Sequence, residues 1–304
     1  MTSLHSTNLD VFPLSLGTNV FGWTADEPQA FAVLDAYTAA GGNFLDTANV
    51  YGGGESETII GKWLAARGDA RDRLVVATKA GWNDGLRGET IRQSAEASLG
   101  RLGIEQIDLY YAHRDDPATP LEETLEAFDA LVRAGKARYI AVSNYSAERL
   151  EQLLAVCDRE GFARPVALQP HYNLMDRDEF EGPLQQLAER ERLPVVPYFG
   201  LARGFLAGKY RPGGPEVDSA RAERAGAYLQ QPSGPAVLKA LDELAATHEV
   251  PVAAVALAWL LAQPTVVAPI ASARTPEQLA DLLPVAELRL SDDEVAKLTA
   301  ASEA

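Results

Sequence analysis

Four residues of this chain could act together in acid–base chemistry: Asp46, Tyr51, Lys79 and His113. A free tyrosine ionises near pH ~10, too high for an effective proton donor–acceptor at neutrality. A lysine ammonium about 4 Å from the phenol favours the phenolate by up to ~4 kcal/mol at an effective dielectric of about 20. At ~1.4 kcal/mol per unit, that lowers the tyrosine pKa by up to about 3 units. Asp46 would hold Lys79 charged and in place while offsetting part of this effect. His113 could hydrogen-bond a substrate oxygen. The set suits protonation of a carbonyl oxygen by Tyr51 while hydride reaches the carbon. A Schiff base on Lys79, as in an aldolase or isomerase, is a different chemistry open to the same lysine.

These residues can cooperate only if the fold gathers them. Eight short apolar runs are expected as strands: Pro13–Gly17, Asn43–Asp46, Leu74–Lys79, Ile107–His113, Arg138–Asn144, Val166–Gln169, Pro194–Tyr198 and Val266–Ile270. Several are near-continuous in Val, Ile, Leu and Ala, as suits a parallel sheet covered on both faces. Amphipathic helical patterns separate them; Leu121, Leu125, Phe128 and Val132 share one face. Thr119-Pro120 with Glu122, Thr275-Pro276-Glu277-Gln278 and Ser291 with Glu294 are expected to cap helices. Eight strand–helix units predict a (β/α)8 TIM barrel, one domain over residues 1–304. A doubly wound open sheet is the alternative, but no GxGxxG follows the first strand. In a barrel, functional groups sit at the C-terminal strand ends, where Asp46, Lys79, His113, Ser143-Asn144, Gln169 and Tyr198 all fall. The run 204–234, rich in Gly, Pro, Arg and Glu, is expected as a loop over the cofactor and substrate, or a linker.

Longer motifs carry a family resemblance. Gly41-Gly42-Asn43-Phe44-Leu45-Asp46-Thr47-Ala48-Asn49-Val50-Tyr51-Gly52, continuing into Gly54-Glu55-Ser56-Glu57 and Gly61, resembles the aldo-keto reductase signature. So do Ala77-Thr78-Lys79, Asp108-Leu109-Tyr110-Tyr111-Ala112-His113 and Gly135-Lys136-Ala137-Arg138-Tyr139-Ile140-Ala141-Val142-Ser143-Asn144. The likeness runs from about Leu14 to Leu283. It implies a TIM barrel, NADPH as hydride donor in preference to NADH, and Asp46, Tyr51, Lys79 and His113 as the catalytic tetrad.

The resemblance also implies a cofactor site, with Asp46 at its floor. Gly17 and Thr18 would lie beneath the nicotinamide, Ser143, Asn144 and Gln169 at its carboxamide, and Tyr198 stacked on its ring. Phe199, Gly200, Leu201, Arg203, Gly204 and Lys209 fall in the stretch over the pyrophosphate. Ser272, Arg274, Gln278 and Asp281 match the 2′-phosphate and adenine positions. Arg274 also precedes a helix start, where free N–H groups and the dipole favour a phosphate, and its planar fork suits the same anion. Two places depart from the family pattern. Phe199-Gly200-Leu201 stands where Ser-Pro-Leu is common, losing a hydroxyl, and Asp281-Leu282 stands where Glu-Asn is usual.

The substrate pocket is expected around Trp23, Tyr51, Trp82, His113, Arg114 and Tyr145, taking an aldehyde, ketone or sugar carbonyl. A cofactor-binding sensor or regulatory subunit with little turnover is the competing reading. The net charge of −16 opposes nucleic acid. The most apolar run, Val252–Ala262, is too short to cross a bilayer and reads as a buried helix. One cysteine excludes an internal disulfide and fits a cytoplasmic location; Cys157 lies on an apolar stripe and reads as a buried thiol. Four scattered histidines predict no catalytic metal: His171 reads as structural, His5 and His248 as surface residues. A monomer or a homo-oligomer both suit the acidic surface.

Overall fold

The computed structural model describes residues 1–215 and 217–303. A hairpin of β1 (Thr2–Ser3) and β2 (Asp10–Val11) comes first. Then follow β3 (Ser15–Gly17), β4 (Phe44–Asp46), β5 (Val75–Ala80), β6 (Ile107–Ala112), β7 (Ala137–Ser143), β8 (Leu168–Gln169) and β9 (Ile270–Ala271). These seven form one parallel sheet in the order β8-β7-β6-β5-β4-β3-β9. Helices α1 (Glu27–Ala39), α2 (Glu55–Ala66), α3 (Gly88–Leu102), α4 (Leu121–Arg133) and α5 (Ala147–Glu160) link successive strands from β3 to β8. Beyond β8 come α6 (Pro183–Arg190), α7 (Ala222–Gly226), α8 (Ser233–His248) and α9 (Val252–Leu261), and after β9 come α10 (Pro276–Ala280) and α11 (Asp292–Ser302).

The sheet is curled. β4 and β8 stand four places apart, roughly 19 Å in a flat sheet at ~4.8 Å per strand. Yet Gln169 at the end of β8 donates to Asp46 Oδ1 at the end of β4 over 2.8 Å. The concave face holds Phe44, Val75, Ala77, Leu109, Tyr111, Ala141 and Ala167, with Leu4, Leu9 and Val11 of the hairpin packed into the same cluster. The opposite face, with Leu45, Val76, Tyr110, Ile140 and Leu168, packs against the helices. Side chains alternate along a strand with period two. Continuing the concave series therefore leads from Phe44 to Asp46, from Ala77 to Lys79, from Tyr111 to His113, from Ala141 to Ser143 and from Ala167 to Gln169. The register aligns these ends, pairing Gly17 with Asp46, Asp46 with Ala77 and Ser143 with Gln169.

Several expectations are corrected. The run Pro194–Tyr198 is not a continuous strand: Val195 makes isolated parallel bridges to Leu168 and Val266, and Tyr198 makes one to His171. Pro194 and Pro197 have no N–H to donate, so the ladder cannot run unbroken there. The hairpin was not anticipated. Thr119 does not cap α4; its hydroxyl donates to Asp116 at 2.7 Å, and Pro120 precedes the helix without a side-chain cap. Thr275 caps α10, but Gln278 reaches back to the Arg274 N–H instead of closing the box. Ser291 and Glu294 form the complete box expected, and Asp26 with Gln29 forms another on α1.

The 204–234 run is more ordered than a linker. It contains the end of a 3-10 stretch (Ala202–Ala207), α7 and a second 3-10 turn (Ala227–Gln230), and it buries Phe205, Leu206, Tyr210, Ala225 and Tyr228. The Val252–Leu261 helix is buried as expected. No single helix among the described residues is long and apolar enough to cross a membrane. Cys157 is buried in α5, where burial pushes its thiol up to about 11.

Candidate active site

At the C-terminal rim of the concave face, Lys79 is fully buried. Its ammonium donates to Asp46 Oδ2 at 2.6 Å, to the Thr47 carbonyl at 2.8 Å and to the Tyr51 hydroxyl at 3.5 Å. The local backbone explains the reach. Tyr51 opens a tight 3-10 turn ahead of α2, and Gly52 and Gly53, at φ +59° and +67°, take the left-handed conformation that glycine tolerates. This turn brings the phenol back over the end of β5. Burial works against the charge of Lys79, but Asp46 and Tyr51 outweigh it and hold the ammonium above its ordinary range.

Tyr51 departs from expectation. Burial raises its pKa, and the opposing influence of Lys79 does not reverse the shift. Burial of the phenol is the largest influence, and with the nearby carboxylate of Asp46, which also disfavours a phenolate, it outweighs the ammonium. Tyr51 is thus a protonated phenol at neutral pH, and Lys79 moderates the rise. His113 faces Tyr51 edge-on, with ring centroids 6.0 Å apart. Burial, then Lys79 and Arg114, lower its pKa to about 2, leaving a neutral imidazole. Its buried Nδ1 has no partner among the described residues.

These groups line a cavity of about 790 Å³. Gly17, Trp23, Asp46, Tyr51, Trp82, His113, Ser143, Asn144, Gln169 and Tyr198 contribute to it, as do Phe199, Gly200, Leu201, Arg203, Gly204, Lys209, Ser272, Arg274 and Gln278. Gly17 is constrained by close strand approach: a Cβ there would meet Ile270 Cγ2 at 2.7 Å and Ser272 Oγ at 2.8 Å. Ser143 donates to the Gln169 carbonyl at 2.8 Å, Asn144 donates to the His113 carbonyl at 2.8 Å, and Tyr198 donates to Asn144 Oδ1 at 2.7 Å. Phe199 and Arg203 adopt φ of +55° and +58°. Such backbone costs on the order of 1–3 kcal/mol per residue and concentrates at functional turns.

Five anticipated residues do not reach this cavity. Lys79 sits behind the Asp46–Tyr51 wall. Thr18 is buried and donates its hydroxyl to the Asp46 carbonyl at 2.9 Å, tying β3 to β4. Arg114 is exposed, its guanidinium 5.4 Å from the Trp82 ring centre. Tyr145 is buried and borders a separate cavity of about 280 Å³ with His171, Glu179 and Leu184. Asp281 is exposed at the C-terminal end of α10 and does not line the cavity.

Sequence reading missed Asn19, Ser219, Ala220, Arg221 and Arg224, all of which line the cavity. It also missed a carboxylate hub. Asp176, in the loop after β8, accepts from Tyr228 at 2.5 Å and from Asn173 at 3.0 Å, and stands 3.0 Å from His171 Nε2. Tyr228 in turn accepts from Arg203 at 2.6 Å. Burial opposes the Asp176 charge, but the neighbouring His171 and the bonds from Tyr228 and Asn173 outweigh it and lower its pKa to about 2. His171 stacks on Tyr198 at 5.3 Å, and His248 is half-buried against Glu294 at 2.7 Å, not free at the surface. Only local polarity marked Asp176; its bond to Tyr228 spans 52 residues. No group of three or more metal-binding side chains occurs among the described residues.

Comparison with known proteins accords with this geometry. The Aldo/keto reductase family pattern matches residues 13–303. An uncharacterized oxidoreductase, YrpG, of Bacillus subtilis (strain 168) is 38% identical over 98% of this chain and 94% of its own length. The norsolorinic acid reductase stcV of Emericella nidulans is 34% identical, covering 94% of this chain and 76% of its own. A Schizosaccharomyces pombe protein bearing the name of a voltage-gated potassium channel subunit beta is 34% identical, with 91% and 85% covered. By this match along nearly its whole length, the chain belongs to the aldo/keto reductase family and is related to oxidoreductases.

Proposed function

We propose that this protein is an NADPH-dependent reductase that converts an aldehyde, ketone or sugar carbonyl to the alcohol, with Tyr51 as the proton donor. The observation that carries the reading is the buried chain from Asp46 through Lys79 to Tyr51, opening on the cavity. The cavity suits a dinucleotide in three respects. Its volume falls in the usual range for ligand pockets. Tyr198 offers a flat aromatic wall. Among the described residues, Arg203, Lys209, Arg221, Arg224 and Arg274 line it with positive charge, against one carboxylate, Asp46, which Lys79 already neutralises.

Bound nicotinamide would supply the hydride. The residues of the chain handle the proton. Neutral His113 donates a hydrogen bond to the carbonyl oxygen and orients it. Tyr51 gives its proton to that oxygen as negative charge builds there. Lys79 stabilises the phenolate left behind, and Asp46 keeps Lys79 fixed. Lys209 and Arg274 would hold phosphates, Arg274 favouring the 2′-phosphate. The bridges at Val195 and Val266 support a closed eight-stranded barrel, with 194–198 as its seventh stave and one domain overall.

A panel of aldehydes, ketones and sugars, with NADPH oxidation followed at the nicotinamide absorbance, tests the proposal. The channel-subunit name of one relative favours a second reading, a cofactor-binding regulatory subunit. Failure of enzyme-bound NADPH to be oxidised by any small aldehyde would select that reading.

A further inference from the structure

The second cavity, of about 280 Å³, shares one wall with the main one: Asn144 lines both. Tyr145 follows it on the same side, and Leu168, Pro170, Glu179 and Leu184 line the rest with His171. The volume falls just below the usual range of ~300–1,000 Å³ for ligand pockets, so it suits a fragment-sized molecule. Its lining holds an unused hydrogen-bonding group. Tyr145 is only 3% exposed, and its buried hydroxyl has no partner among the described residues. Native proteins pair such groups with protein, water or ligand, because leaving one bare is costly. Burial first, then Asp115, keeps this phenol protonated, so its oxygen can accept.

The charge around the second cavity is negative. Glu179 lines it, and its one ion-pair contact among the described residues is His171 Nδ1 at 3.3 Å. His171 Nε2 stands 3.0 Å from Asp176 and out of line for a hydrogen bond. One imidazole therefore faces two carboxylates and can carry at most one positive charge. The main cavity is the reverse, lined by Arg203, Lys209, Arg221, Arg224 and Arg274. A small cation is repelled there and drawn to the second cavity.

The second cavity also backs onto the Tyr198 wall. Asn144 accepts from Tyr198 at 2.7 Å and donates to the His113 carbonyl at 2.8 Å. It does so at φ +57°, a conformation that a non-glycine residue keeps only where its surroundings fix it. His171 stacks on Tyr198 with ring centroids 5.3 Å apart.

We infer that the second cavity binds a small organic amine: its ammonium sits between the Tyr145 hydroxyl and Glu179, its apolar body lies on Leu168, Pro170 and Leu184, and it braces Asn144 and Tyr198 from behind. The site goes beyond the reductase reading; only its coupling to NADPH rests on that reading.

The test is calorimetric titration with benzylamine, benzyl alcohol and benzoate, which needs no turnover. Benzylamine should bind best, to the free protein and to the NADPH-saturated one alike. Tyr145→Phe should weaken it by about 10-fold, as for a lost hydrogen bond to a charged group. Glu179→Gln should weaken it by roughly 3-fold, because that side chain is 66% exposed and water screens its charge. The unliganded Tyr145→Phe protein should unfold no earlier than wild type, since the hydroxyl it loses has no partner to strand. Benzylamine and NADPH should tighten each other by the same factor, about 5-fold, at the low end for coupled sites. Equal binding of benzyl alcohol, or benzylamine binding indifferent to both substitutions, would overturn the site and leave a cavity for water only. Exclusion of benzylamine by NADPH would overturn it by placing the amine in the main cavity. Benzylamine binding that depends on Tyr145 but leaves NADPH affinity unchanged would keep the site and overturn the bracing of Tyr198. Tyr145-dependent binding in a protein that reduces no carbonyl would keep the site and remove the reductase reading.

Discussion

Gln169 and Asp46, 123 residues apart, meet at 2.8 Å across the concave face, Gln169 taking the carboxylate oxygen that Lys79 leaves free. Asp46 thereby accepts from both sides, and the buried Lys79 has a partner that cannot turn away. The arrangement joins three strand ends, so the carboxylate that anchors Lys79 is also part of what holds the rim together.

Tyr51→Phe keeps the ring and removes the proton. Its kcat should fall by roughly 10²- to 10⁴-fold, the usual contribution of a positioned general acid, with cofactor binding unchanged. Steady-state kinetics beside a fluorescence titration of NADPH checks this; turnover near wild type would assign the proton to another group.

Asp46→Ala should leave the Lys79 ammonium buried and unpaired, at a cost of about 3–5 kcal/mol. The double variant Asp46→Ala, Lys79→Met should be more stable than the single one, because no charge is then stranded. Urea unfolding of the three proteins measures the difference, and a double variant weaker than Asp46→Ala would contradict it.

The pH profile should lack a histidine limb. His113, lowered to about 2, stays neutral throughout the working range. Tyr51, raised by burial, keeps its proton beyond the ordinary phenol range, so kcat for reduction should stay level through neutrality and fall only on the alkaline side. Stability carries the opposite sign at low pH. The unfolded chain binds a proton at His113 below pH ~6.5 while the folded protein does not, so stability drains away by up to about 1.4 kcal/mol per unit as pH falls from there. His113→Asn should flatten that slope in unfolding curves taken between neutral and acidic pH.

Asp176→Ala should free Tyr228 and Arg203 and loosen the segment over the cavity. Cofactor release, followed by stopped-flow fluorescence, should quicken by about 10-fold, in keeping with a lost charged hydrogen bond; an unchanged release rate would show that the segment is held elsewhere. Arg274→Ala should weaken NADPH while leaving NADH little affected, by the same fluorescence titration.

What could be read from the chain follows the period of its strands. Asp46, Lys79, His113, Ser143 and Gln169 continue inward-facing apolar series, so their convergence was legible once the strands were placed. The seventh stave was overread because its apolar residues fit a strand while Pro194 and Pro197 deny it a ladder. Arg221 and Asp176 were illegible for another reason. Each owes its place to partners distant in sequence, Trp23 and Phe199 for one and Tyr228 for the other, and no local pattern encodes such pairings. The net direction of the Tyr51 shift was missed because a pairwise estimate left out burial of the phenol.

The β1–β2 hairpin works as a stopper. Leu4, Leu9 and Val11 close the end of the concave cluster opposite the C-terminal rim. Arg138 and Tyr139 each bond to Asn8 between its strands, fastening the stopper to β7. The strands that seat it run from Phe44 to Ile270, so its burial depends on nearly the whole chain having assembled. Water is kept from the floor of the site from below, and the first eleven residues, at the end of the sheet away from the cavity, help keep the Lys79 charge dry.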